Sequence, residues 1–127
     1  MTTPFALTRD INGYNGFGIK FSDTNYSATL ATGTNTTLTV PSLSPPGGAS
    51  YSGSANPILI ALFEYDSGTS VWVSLNATAA TPAGASFAAT NSQLNPSARQ
   101  VKAGDVLNFI TAGTGVNVSV CFYWIGQ

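Results

Sequence analysis

Apolar and polar positions alternate with a period of two along most of this chain, the spacing of β-strands that bury one face. Residues 17–22 place Phe17, Ile19 and Phe21 on one side, and residues 26–32 do the same with Tyr26, Ala28 and Leu30. Residues 35–40 group Leu38 with Val40. Residues 57–65 are almost unbroken apolar sequence, which predicts a central strand covered on both faces. Residues 69–75 alternate through Val71, Val73 and Leu75, with Trp72 on the reverse side. Residues 105–111 set Val106, Asn108 and Ile110 against Leu107 and Phe109. The longest run, 116–125, aligns Val116, Val118, Val120, Phe122 and Trp124 on one face and Asn117, Ser119, Cys121 and Tyr123 on the other.

Turn signals separate the runs. Asp66-Ser67-Gly68 reads as a hairpin loop, and Thr32-Gly33-Thr34-Asn35, Ala103-Gly104-Asp105 and Gly113-Thr114-Gly115 supply further turns. Ser44-Pro45-Pro46-Gly47-Gly48 opens a long exposed loop over residues 44–56, because consecutive prolines exclude both a helix and a central strand. In residues 78–98 the alanines permit helix, but Pro82, Gly84 and Pro96 break it, so a weak strand at 85–89 followed by loop is expected. Seven to eight short strands with regular turns predict an all-β fold: a single antiparallel β-sandwich, jelly-roll-like. It would occupy residues 17–127, behind an N-terminal arm at 1–16. The expected core is Phe21, Leu38, Ile60, Leu62, Val71, Val73, Leu107, Phe109, Val118, Val120 and Phe122.

Composition narrows the function. The 127 residues fit one domain. Only 7% are charged, against roughly 25% in an ordinary globular protein. Forty residues are serine, threonine or asparagine, yet 43% hydrophobic content and near-zero net charge favour a folded core over disorder. A net charge of −1 gives no electrostatic case for nucleic acid or an anionic membrane surface. The first residues lack a basic and apolar leader pattern, and no apolar run approaches the ~20 residues of a membrane span. The reading is a soluble chain made in a host cytoplasm. Four N-x-S/T sequons begin at Asn25, Asn35, Asn76 and Asn117, as chance provides in so polar a chain.

Candidate chemistry is sparse. Histidine is absent, which removes histidine-based triads, proton shuttles and metal sites. One cysteine, Cys121, allows no intrachain disulfide, and mid-strand without a cationic neighbour in sequence it reads as an inert thiol. Glu64 and Asp66 lie two apart on a strand and project to one face, as an acid and base would, but Asp66 opens a turn, where aspartate caps the backbone. Asp10, Asp23 and Asp105 are too scattered in sequence to read as a calcium loop. Gly13, Gly16 and Gly18 lack the spacing and the lysine of a phosphate loop. The expectation is a non-enzyme with no cofactor and no metal. Trp72, Tyr123 and Trp124 could stack on sugar rings, although aromatic residues in such strands usually serve the core.

The charge distribution points to assembly. No charged residue lies between Asp23 and Glu64, or between Asp66 and Arg99. Sandwich edges are normally protected by lysine, proline or bulges, and this chain has two lysines, Lys20 and Lys102. Edges covered in a complex, or self-association, follow from that. The segments Val73-Ser74-Leu75-Asn76-Ala77-Thr78-Ala79-Ala80 and Asn95-Pro96-Ser97-Ala98-Arg99-Gln100-Val101-Lys102-Ala103-Gly104-Asp105, followed by a long alternating final strand, resemble small bacteriophage virion proteins: the β-sandwich decoration, or cement, proteins of icosahedral heads. The resemblance covers about the C-terminal half. It implies a homotrimer on the outer capsid surface that binds the major capsid protein and bridges capsomers, opposing internal genome pressure. The expected contacts are Pro4, Phe5, Leu7, Arg9, Asp10 and Tyr14 in the arm, Pro45, Pro46 and Tyr51 in the long loop, and the cations Arg99 and Lys102. The rival reading is a receptor- or glycan-binding module of a phage tail or fibre.

Overall fold

A computed structural model describes residues 21–42, 58–82 and 92–126. Among them are eight strands: β1 (Asn25–Leu30), β2 (Thr36–Thr39), β3 (Ile58–Tyr65), β4 (Val71–Leu75), β5 (Gln93–Leu94), β6 (Ala98–Lys102), β7 (Val106–Thr111) and β8 (Val116–Gly126). They form two antiparallel four-stranded sheets, β1-β8-β3-β6 and β2-β7-β4-β5, and the protein is an all-β sandwich. The pairings β1 with β8, β2 with β7, β3 with β6 and β4 with β5 are nested, as in one long hairpin folded over on itself. Among the described strands only the β4–β5 connection stays within a sheet. The turn at Asp66-Ser67-Gly68 is therefore not a hairpin loop: it carries the chain from β3 across to β4 in the other sheet. Its geometry is nonetheless as the residues require, with Gly68 at φ 75° and Thr69 N–H donating to Asp66 O at 3.3 Å.

The period-two pattern decides which side chains turn inward. Val116, Val118, Val120 and Phe122 of β8 are buried and form one wall of the core, with Trp124 packed against it. Opposite them Val71 and Val73 of β4 and Leu107 and Phe109 of β7 supply the other wall. Phe63 meets Phe109 edge-on between the sheets, with ring centres 6.3 Å apart. Leu38 is half-buried and packs on this core, which Leu30, Val40 and Val101 complete.

Four further expectations are corrected. Phe21 is fully exposed rather than core, and neither it nor Ser22 is in a strand. The inward residues of β3 are Leu59, Ala61 and Phe63, whereas Ile60 and Leu62 lie half-buried on the outer face. An unbroken apolar run carries no parity signal, so pairing sets the face: Ala61 lies opposite Phe122 and Phe63 opposite Val120, both inward on β8. Nor is β3 covered on both faces by the described residues, since outward Ile58, Ile60 and Leu62 are half-buried and Glu64 is exposed. Finally, the region expected to end in loop contains β5, and β6 follows it. The weak strand expected at 85–89, the arm at 1–16, residues 17–20 and the loop at 44–56 lie outside the described residues.

Candidate partner-binding surface

Of the expected contact residues, Pro4, Phe5, Leu7, Arg9, Asp10, Tyr14, Pro45, Pro46 and Tyr51 lie outside the described residues. Arg99 and Lys102 are both exposed on β6, an edge strand of the first sheet. They face opposite ways. Arg99 lies across from Ala61 on the inward side, and Lys102 across from Ile58 on the outward side. The Arg99 guanidinium spans the gap between the sheets: Nε donates to Gln93 Oε1 of β5 at 2.8 Å, and Nη1 to Ala98 O at 2.6 Å.

The edge of β6 is blunted. Phe63 N–H donates to Ser97 O, so the odd-numbered residues along β6 bond to β3 and the even-numbered ones turn their backbone outward. Two of those outward groups are already used, Ala98 O by Arg99 and Lys102 N–H by the Asp105 carboxylate at 2.9 Å. The opposite edge of that sheet differs. Phe122 N–H donates to Thr24 O, so Asn25, Ser27 and Thr29 of β1 point their backbone groups away from β8, and none of the three is charged. Their side chains join an uncharged ladder on the outer face. Ser27 Oγ lies 3.4 Å from Ser119 Oγ, and Thr29 Oγ1 donates to Asn117 Oδ1 at 2.6 Å.

Two of the carboxylates singled out in the sequence, Asp66 and Asp105, are structural. Asp66 Oδ2 accepts Asn117 N–H at 2.8 Å, tying the β3–β4 turn to β8. Asp105 accepts from Lys102 N–H and, through Oδ1, from Asn76 Nδ2 at 3.1 Å. Glu64 is exposed on the outward face of β3. Cys121 is a half-buried free thiol beside Leu62 and Asn25 on that same face. Among the described residues no group of three or more acidic or cysteine side chains could hold a metal ion, and no helix is long and apolar enough to cross a membrane.

Asparagine was the residue whose role the sequence concealed. Asn76 and Asn95 adopt left-handed backbone conformations, φ 57° and 44°, and each extends a sheet with its side chain. Asn76 Oδ1 accepts Val106 N–H at 2.7 Å, and Asn95 Oδ1 accepts Val71 N–H at 2.7 Å while its Nδ2 donates to Thr69 O. Asn35 bridges buried Asn108 and Ala79 N–H. The amide nitrogens of three sequon asparagines, Asn25, Asn35 and Asn76, are thus occupied by hydrogen bonds. Their value as left-handed turn residues was the one available signal.

A second surface feature sits at the loop end of the sandwich. A shallow depression is lined by half-buried Trp72, by Thr69, Ser70 and Thr114, and by Gly68 and Gly113. It offers an aromatic face beside hydroxyls and has no charged side chain in its wall. Comparisons with family models, curated proteins and solved structures find no match to this chain.

Proposed function

We propose that this chain is a capsid decoration protein: a non-enzymatic virion component that binds the outer surface of a phage head as a homotrimer and bridges capsomers of the major capsid protein. The observation that carries the reading is the way charge is spent. Asp66 and Asp105 are consumed in turns, Arg99 and Lys102 sit on one edge strand, and the opposite edge strand β1 makes an uncharged ladder of hydroxyls and amides with β8, so that the outward charges of that sheet, Glu64 and Lys102, lie on β3 and β6. A surface of that kind suits a permanent neighbour better than free solution, where soluble domains carry mixed charge. The nested strand order further supports reading the sandwich as a jelly roll, an architecture common in capsid proteins. Stabilisation would be mechanical, with buried area added across capsomer boundaries. The test is co-sedimentation with phage heads stripped of their decoration proteins. Saturable binding that raises the heads' thermal rupture temperature is the expected result; failure to bind any such head overturns the reading.

A glycan-binding module is the second reading, favoured by the Trp72 depression, where a sugar ring could stack on the indole beside the hydroxyls of Thr69, Ser70 and Thr114. Selective retention on a glycan array, lost in W72A, would favour it over decoration.

A further inference from the structure

β5 is only two residues long and pairs with Trp72 and Val73 alone, so the second sheet stops short on the side facing β6. Among the described residues nothing closes the inter-sheet space there. Leu75, on the inward face of β4, is 44% exposed. Behind it a cleft of about 140 Å³ is lined by Phe63, Val73, Leu75, Val101 and Leu107. Gln93, Arg99 and Gln100 stand at its polar side. Arg99 reaches inward over Ala61, the smallest inward residue of β3, and among the described residues its hydrogen bonds go to two neutral oxygens, Gln93 Oε1 and Ala98 O. Gln100, an even-numbered residue of β6, turns its backbone N–H to the same open side.

We propose that this cleft is a binding site for a compact apolar carboxylate, with the hydrocarbon body between Leu75, Val101 and Leu107 and the carboxylate on the Arg99 guanidinium. Charge complementarity selects the head group. A guanidinium whose acceptors among the described residues are both neutral gains a charge-assisted, two-pronged hydrogen bond by exchanging one of them for a carboxylate. Size selects the body, because a dry cavity of roughly 150 Å³ holds a benzene-sized molecule. The blunted edge of β6 argues against an added peptide strand as the occupant, since Ala98 O and Lys102 N–H are already taken.

The experiment is an amide chemical-shift titration with sodium benzoate and, separately, with uncharged benzyl alcohol. Benzoate should give saturable shifts centred on Leu75, Val101 and Leu107. Affinity should fall at least about tenfold for benzyl alcohol and for R99Q, because the charged contact is lost. L75W, which fills the mouth of the cleft from an already exposed position, should abolish binding while the remaining amide spectrum reports an intact fold. No saturable shift at these residues up to ~20 mM benzoate, far weaker than the millimolar range of small fragments, overturns the proposal. Shifts that map elsewhere, or benzoate affinity unchanged in R99Q, overturn it equally.

Discussion

Asn95 concentrates at one residue what holds the β4–β5 edge together. Its backbone N–H donates to Val71 O, its side chain satisfies Val71 N–H and Thr69 O, and its φ is positive. Asn95→Ala should cost about 3 kcal/mol, from two hydrogen bonds of about 1 kcal/mol each and about 1 kcal/mol of backbone strain. Asn95→Gly, which relieves the strain alone, should lose about 2 kcal/mol. Urea denaturation of both variants measures the difference. Ser74 gives the opposite sign. Its Oγ is buried without a hydrogen-bond partner among the described residues, so Ser74→Ala should leave stability unchanged or raise it by about 1 kcal/mol in the same assay. Tyr65 links one residue to pH. Its hydroxyl donates to Pro96 O at 2.8 Å, and burial pushes its phenol well above the ordinary range, with Arg99 opposing and Glu64 reinforcing. An unfolded tyrosine ionises at about pH 10, whereas the folded one keeps its proton, so the unfolded state binds fewer protons above that pH and stability falls as pH rises. Thermal melts between about pH 9 and 11 should show that fall, and it should be shallower in Tyr65→Phe.

At the scale of elements, the β6–β7 turn is the piece that protects an edge. Asp105 occupies Lys102 N–H and Asn76 Nδ2, its own backbone N–H donates to Lys102 O, and its carbonyl accepts Val40 N–H. The turn closes through Gly104 at φ 90°. Asp105→Ala removes two charge-assisted bonds at a part-exposed site and should cost about 2 kcal/mol. It also uncovers Lys102 N–H on an edge strand, so concentration-dependent self-association, read by analytical ultracentrifugation, should increase relative to wild type. A variant that loses stability without added association would overturn the edge-protecting role of Asp105.

For the whole molecule, the uncharged edge of β1 and the uncharged outer ladder beside it make assembly the first quantity to measure. Under the decoration reading, light scattering after size exclusion should give about three times the 13.0 kDa chain mass. A stable monomer at micromolar concentration would remove the edge-based argument and shift weight to the glycan reading and its Trp72 depression.

The strands whose two faces differ were legible in the sequence. Alternation in β1, β4, β7 and β8 named the inward residues correctly, and the Gly68, Gly104 and Gly115 turns fell where positive φ was needed. These features are local, because a period of two and a tolerated φ depend on neighbouring residues only. What pairing decides was not legible. The face of β3 depended on its register with β8, and β6, with the pattern Ala-Arg-Gln-Val-Lys, shows a single buried residue, Val101, and so no alternation to read. The same holds for the cleft and its cation. Gln93 and Arg99 lie six residues apart in sequence, but they face each other only because consecutive strands β5 and β6 enter different sheets, a consequence of how the whole hairpin folds over.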